Sequence, residues 1–395
     1  YKDSGIAWIG EIPEHWEVKK GKNLFKKEER PVRDNDEIVT CFRDGEVTLR
    51  SNRRIDGFTN AMKEVGYQGV RRGDLVIHNM DAFAGAIGVS DSDGKSTPVY
   101  SVCTPKNNVE ANVYYYAYLL RSYALGGVIQ SLAKGIRERS TDFRYKEFGD
   151  LYYQQPPIEE QQSIASYLDQ KCGEIDKLIT LQEEMITKLQ SYKQSVITEA
   201  VTKGLDKNVP LKDSGIEWIG EIPEHWSVVK IKYLAKIKSG DSISSNEIMQ
   251  EGIYEVYGGN GLMGFCNKKN VDGVNIIIGR VGALCGNVRL ISESKFITDN
   301  ALILNCFDNA LYSYMYIMLK AANLNNLNTS NAQPLITSSK VLNVSLPIPP
   351  LSEQQSIANY LDQKCSEIDE LISIKQQKIE KLKDYKKSLI FECVT

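Results

Sequence analysis

Histidine is scarce in this chain: three residues in 395, at positions 15, 78 and 225. With so few, no Ser/His/Asp or Cys/His catalytic set can be assembled in both halves of the sequence. Eight cysteines are present, yet none forms a CxxC pair, which argues against a disulfide framework or a zinc site and for reduced thiols. No apolar run reaches the roughly 18 residues of a membrane span, and the N-terminal stretch is polar from Lys2 onward, so neither a membrane helix nor a signal peptide is expected. The net charge of −3 lacks the positive excess of a uniformly basic nucleic-acid binder. An Asn/Asp-Pro-Pro-Tyr/Phe tetrapeptide of the methyltransferase kind is also missing; Pro156-Pro157 follows Gln155.

Three ligand motifs fail on context. Gly259 to Gly264 spells GxGxxG, but Phe265 to Gly273 is no helix, so a dinucleotide site is not expected. Gly88 to Ser96 is one residue too long for a phosphate loop and carries Asp91 and Asp93 where phosphates would sit, and reads as a turn. The same segment lacks calcium's carboxylates at its first and twelfth positions, Val89 and Tyr100.

What the chain does have is a duplication. Lys2 to Trp16 returns at Lys212 to Trp226 with one difference, Ala7 against Glu217. Glu160 to Ala165 with Tyr167 to Cys172 returns as Glu353 to Ala358 with Tyr360 to Cys365. The offset is 210 at Trp8/Trp218 but 193 at Ile164/Ile357, so the first intervening segment is longer by 17 residues. A constant frame holding two diverged segments suits the reading of two targets through one geometry.

Each segment reads as a compact α+β domain. Gly73 to Ile77 with Gly85 to Val89, and Val274 to Ile278 with Gly286 to Val288, form matched strand-turn-strand patterns. Further strands are expected over Val99 to Cys103, Ile253 to Tyr257 and Ala301 to Cys306, and helices over Val113 to Tyr123 and Leu311 to Ala322. Their tyrosines (114, 115, 116, 118; 312, 314, 316) are expected to pack. Pro156-Pro157 and Pro347, Pro349, Pro350 close the segments.

A long helix then follows in each copy. Ile164, Leu168, Ile175, Leu178, Ile179, Met185, Ile186, Leu189, Tyr192, Val196 and Ile197 keep a three-and-four spacing, mirrored over Ile357 to Ile390. At 1.5 Å per residue such helices reach roughly 60 Å, more than one small core needs, so they should pack on each other. Gln182 and Lys375 interrupt the same position, as polar register markers do. Ser352 is the expected N-cap of the second helix, and Val201 to Pro210 a hinge. The expected class is α+β: two pseudo-two-fold related recognition domains separated by an antiparallel coiled coil. The boundaries are 1–155 (first domain), 156–203 (first helix), 204–347 (second domain) and 348–395 (second helix).

Charge is unevenly spread. Lysine and arginine outnumber acids between residues 19 and 72, whereas acids gather on the repeated helix, which suggests one surface for DNA and another for protein. Arginine suits guanine and asparagine or glutamine suits adenine. The expected DNA-contacting residues are Arg53, Arg54, Arg71, His78, Asn79, Lys134, Arg137, Arg139 and Arg144 in the first half. In the second they are Tyr257, Asn260, Arg280, Asn287, Asn328, Asn331 and Gln333. The arginines of residues 134–146 lean the first reader toward guanine; the asparagines of 323–333 lean the second toward adenine.

Taken over its whole length, the sequence resembles the specificity subunits of type I restriction-modification systems. The resemblance rests on Ser4 to Trp16 and its copy, on the Pro-Pro-Ile/Leu with Glu160-Gln161-Gln162 and Glu353-Gln354-Gln355, and on Gly73 to Ile77 and Ile276 to Gly282. It implies double-stranded DNA with a bipartite site as target, a helical ruler for the gap, and no catalysis in this chain. It further implies two methyltransferase subunits and restriction subunits as partners, which bring S-adenosylmethionine, ATP and Mg²⁺. The setting it implies is a bacterial or archaeal cytoplasm. Two readers on one duplex face would sit about one helical turn apart, roughly 34 Å. The second copy stops at Thr395, before any counterpart of Lys203-Gly204-Leu205, so a circular arrangement would be incomplete at that end. Two rivals stand beside this reading: a DNA-modifying enzyme with its centre in the diverged segments, and an adaptor that joins two proteins without touching bases.

Overall fold

The computed structural model describes residues 1–53, 65–132, 142–282, 284–308, 311–328 and 334–395. It divides into two compact units, residues 1–182 with 377–395, and residues 183–376. This partition by compactness differs from the order along the chain, because each unit takes the beginning of one long helix and the end of the other.

In the first unit a four-stranded antiparallel sheet is built from β1 (Phe25–Lys27), β2 (Leu75–His78), β3 (Ile87–Val89) and β4 (Tyr100–Pro105), in the order β1-β4-β2-β3. Side chains alternate across it, as the two-residue period of a strand requires. Leu75, Ile77, Ile87 and Cys103 face the main core, whereas Val76 and Val102 face a smaller one with Val39, Cys41 and Val47. On the main face lies α1 (Val113–Leu125), whose Asn112 side chain accepts from the N–H groups of Tyr114 and Tyr115 and so caps the helix. Tyr115, Tyr116, Leu119, Leu120 and Tyr123 are buried there, while Tyr114 is exposed. The second unit repeats the plan with β5 (Ala235–Ser239), β6 (Asn275–Gly279), β7 (Val288–Ile291) and β8 (Ala301–Cys306), in the order β5-β8-β6-β7. Ile276, Ile278, Leu302 and Leu304 face Met315, Met318 and Leu319 of its helix, residues Tyr312–Ala321; Ile277 and Ile303 face the other way.

The expected strand-turn-strand patterns are therefore the paired edges β2/β3 and β6/β7. Gly259-Asn260 is the turn of a hairpin between strands Tyr254–Gly258 and Gly261–Cys266. Ser90 to Asp93 links β3 to the short strand Gly94–Ser96.

The long helices run over Ile158–Lys203 and Leu351–Val394. Within the first unit Leu168, Cys172 and Ile175 of one share a core with Leu389, Ile390 and Val394 of the other. In the second, Ile357, Ala358 and Leu361 share a core with Val196, Ala200 and Val201. Beginnings thus pack with ends, and the helices are antiparallel in each unit; each fully buried Leu or Ile contributes roughly 1.5–3 kcal/mol. The stripe read from the sequence is only partly used in this way. Leu178, Met185 and Tyr192, spaced by seven, are exposed. Gln182 is buried, and Lys375 donates to the Met185 sulfur at 3.2 Å.

Ser352 is not the N-cap: the helix already begins at Leu351, and Ser352 lies inside its first turn. Instead the buried Gln354 turns back, its Nε2 donating to the carbonyl of Pro349 at 2.8 Å, as Gln161 does to Pro156 at 2.7 Å. At the other end of the first long helix, Gly204 adopts φ +75° and its N–H donates to Ala200, a left-handed stop. An added Cβ there would meet the Trp226 ring at 3.1 Å.

Candidate nucleic-acid interface

The frame brings the ends of each diverged segment together. Glu17–Lys20 pairs with Tyr152–Gln155, and Ser227–Lys230 with Ser345–Ile348. This ribbon places Trp16 and His15 beside the first turn of the long helix. The Trp16 indole N–H donates to Glu160 Oε2 at 2.8 Å, and His15 Nε2 lies 2.7 Å from Glu160 Oε1. Trp226, His225 and Glu353 repeat the arrangement at 2.9 and 2.7 Å. The indole bond, with His15, holds the Glu160 carboxyl below its ordinary range. The rings of His225 and Trp226 meet edge-on at 6.5 Å, so the histidine's close contact is with the carboxylate. The latch was legible in principle, since both of its halves lie in the duplicated blocks.

From this frame the sheets project one equivalent corner. In the first unit, at the end of β2, the Asn79 N–H donates to Val99 and its carbonyl accepts from Phe143. In the second, at the end of β6, the Arg280 N–H donates to Asn300 and its carbonyl accepts from Ile336. The backbone is held in one way and the side chain differs.

Around Asn79 lies a hollow of about 550 Å³ lined by Lys27, Tyr100, Ser101, Arg144 and Lys146 among others. Asn79 is buried, and its Oδ1 accepts from Ser101 Oγ at 2.8 Å. Around Arg280, its Nη1 donates to Ser239 at 3.4 Å and its buried Nε has no hydrogen-bond partner among the described residues. The Gly259-Asn260 turn lies flat on this corner, for a Cβ on Gly279 would meet the Gly259 carbonyl at 2.4 Å. Arg289 pins the turn by donating to the Asn260 carbonyl at 2.8 Å.

Comparison with known proteins follows the same outline. Residues 223–384 match the family model described as the type I restriction modification DNA specificity domain. The putative type I restriction enzyme MjaX specificity subunit of Methanocaldococcus jannaschii is 27% identical over a 425-residue alignment, covering 97% of this chain and 93% of that one. The EcoprrI specificity subunit of Escherichia coli is 33% identical over 133 residues, a third of either chain. Residues 223–384 thus carry a type I restriction modification DNA specificity domain, and the chain as a whole is similar to type I restriction enzyme specificity subunits. Its fold is also that of solved structures. A chain from work on complex assembly and conformational transition of the type I R-M system aligns with a TM-score of 0.75, at 17% identity over 97% of this chain and 98% of that one. The HsdS subunit of Thermoanaerobacter tengcongensis gives 0.54 at 17% identity over 97% of each.

The other polar residues that the sequence marks for DNA contact are placed as follows. Arg71 is mostly buried and donates to Asp36 and to the carbonyls of Val70 and Gly94; its work is internal. Arg53 is engaged by Asp44 at 2.7 Å and Glu46 at 2.9 Å, over the Phe42 ring. His78 stands edge-on to Tyr100 at 4.6 Å, its Nδ1 accepts from the Asp81 N–H, and burial lowers its pKa. Arg144 is exposed, paired with Asp142 at 2.6 Å, and shares the hollow with Asn79.

In the second unit Tyr257, Asn260 and Arg280 come together at the hairpin corner, and the exposed Asn287 is near in the chain, its carbonyl accepting from Gly279. Asn328 is separate; its Oδ1 accepts from the Leu335 N–H. Arg54, Lys134, Arg137, Arg139, Asn331 and Gln333 lie outside the described residues. Sequence reasoning left Lys27, Lys146 and Arg289 off the candidate list, although their charge signalled them. It also overestimated the basic stretch: Lys19, Lys22, Lys26, Lys27, Arg30, Arg33 and Arg43 all face acids in ion pairs.

Proposed function

We propose that this chain directs a type I complex to DNA by reading two half-sites, one with each unit, and performs no chemistry itself. The matched corners carry this reading: at residues 79 and 280 the backbone is held identically while Asn stands in one unit and Arg in the other. Asparagine offers adenine a donor and an acceptor, and arginine offers guanine two donors, so these corners favour the reverse of the leaning that residues 134–146 and 323–333 suggest from the sequence. Lys146 lies at the first corner with Lys27 and Arg144, which would exchange their exposed carboxylate partners Glu29 and Asp142 for phosphates, and Arg289 stands beside the second.

Methylation and cleavage then belong to partner subunits, which would carry S-adenosylmethionine, ATP and Mg²⁺. The exposed line Leu178, Met185, Tyr192 and its repeat counterparts Leu371 and Tyr385 give two methyltransferase subunits an apolar face on the helices. No helix among the described residues is long and apolar enough to cross a membrane.

Mapping methylated bases genome-wide, in cells carrying this chain or its Arg280→Ala variant, tests the reading. The expected result is relaxed specificity in one half-site with the other half and the gap unchanged. Methylation by the purified chain alone, or a motif that ignores both corners, would overturn it.

A further inference from the structure

The opening block does more than its packing requires. Ile9, Ile12 and Trp16 are buried, as are Ile219, Ile222 and Trp226, and a core demands their retention. Gly5 and Gly10 take φ +73°, and Gly215 and Gly220 +73° and +66°, which only glycine adopts without strain. Asp3 and Asp213 accept from the following glycine N–H at 2.9 Å, and Ser4 and Ser214 from Ile6 and Ile216 at 3.2 Å. His15 and His225 serve the latch.

Those tasks leave Glu11, Glu14 and the outer part of Trp8 unexplained, all exposed and all repeated at Trp218, Glu221 and Glu224; the Trp8 indole N–H also reaches the Tyr123 hydroxyl. Trp8 is 38% exposed and Trp218 39%. Each indole is displayed by a rigid turn closed by Ser4 N–H to Gly10 at 3.0 Å and Gly10 N–H to Ile6 at 3.0 Å; the copy reads 2.9 and 2.9 Å. Surfaces elsewhere have drifted: Glu17-Val18-Lys19 directly after the block faces Ser227-Val228-Val229. An exposed surface kept twice in one chain with one substitution, on turns closed by the same hydrogen bonds, is the requirement of one partner engaged twice.

We infer that the Trp8 and Trp218 turns are two equivalent docking knobs for two copies of one protein. That protein offers an apolar slot for an indole with cations at its rim to face Glu11, Glu14 and their copies. Tryptophan is the residue most enriched among interface anchors, and a turn ordered before binding loses little entropy on docking. The latch ties each knob to the start of a long helix through Glu160 or Glu353, so a partner seated there also meets the repeated helix face. This rests on the reading above only in taking the methyltransferase subunit as the protein that each complex needs twice.

The test uses the full chain with the purified methyltransferase subunit and reads stoichiometry by sedimentation. Wild type is expected to take two copies, Trp8→Ala one, Trp218→Ala one, and the double variant none, with affinity at an altered knob at least tenfold weaker. Ala7→Glu should keep two copies, since Glu217 occupies that place in the other knob. Glu11→Lys, which touches no core, should weaken one site and guards against a misfolded alanine variant. A folded double variant that still takes two copies overturns the knobs and leaves the DNA reading intact. Loss of DNA binding without loss of the subunit in the double variant would assign the knobs to DNA and overturn the inference. A wild-type chain that binds no methyltransferase subunit removes both the inference and the proposed assembly.

Discussion

The two units differ where they face outward and agree where they face the frame. Asp176 pairs with Lys386 at 2.7 Å in the first unit, and Asp369 with Lys193 at 2.6 Å in the second. These are the same pair with the helices exchanged, since each residue lies 193 positions from its counterpart. Tyr115 donates to the Val394 carbonyl and Tyr314 to the Val201 carbonyl, both at 3.4 Å, and the same exchange holds. Yet the outer layer over the first sheet is two small hairpin-like ladders, and over the second a three-stranded sheet with one parallel pair. The difference teaches that the outer layer of a unit can change without rebuilding its mount, because the contacts that fix the mount come from the frame and the inner sheet face.

That equivalence can be broken most severely at the latch tryptophans. Trp16→Ala and Trp226→Ala should each cost about 3–5 kcal/mol through the cavity left in a packed core. Denaturant unfolding of each variant checks this; a silent change at either position would show that the two mounts are energetically unlike. A smaller effect sharpens the contrast between the readers. Asn79→Ala should cost about 1–3 kcal/mol of discrimination at one half-site only, measured by competition binding against single-base variants of the site. An equal loss at both halves would mean that the corner acts through folding.

The helix pairs should contribute least. A double-mutant cycle on Asp176 and Lys386 should give roughly 0.2–1 kcal/mol, the value of a half-exposed pair, and the Asp369/Lys193 cycle should match it. Acid sensitivity offers a further probe of the first latch. The folded Glu160 carboxyl titrates below its ordinary value, chiefly through the Trp16 N–H. Its stabilisation is therefore present above about pH 4.5 and lost as pH falls through the lower, folded value. Glu160→Gln should flatten that part of the melting temperature against pH curve, and an unchanged curve would exclude the latch as a source of acid lability.

Several elements were readable because they repeat or alternate. β2/β3 and β6/β7 follow from glycine-spaced apolar runs, and the long helices from the spacing of Ile164 to Ile197. The exposure of Leu178, Met185 and Tyr192 was not, since a periodic apolar residue looks the same whether a helix of this chain or a partner covers it. Charge and hydrogen-bonding type mark Arg71 and His78 in the sequence. What decides their role is that Asp36 and Tyr100, 35 and 22 residues away, are their neighbours in space. Nothing in the linear sequence relates Arg280 to Asn79, and only the sheet reveals that they occupy equivalent places.

Linear order alone thus determined that the chain is a doubled unit with two unlike inserts and two long amphipathic helices, since repetition and periodicity are properties of the string. Tertiary structure alone decided which charges are spent on internal pairs and which corner each insert presents. Those outcomes depend on burial and on neighbours far apart in the chain, and neither can be read from local spacing.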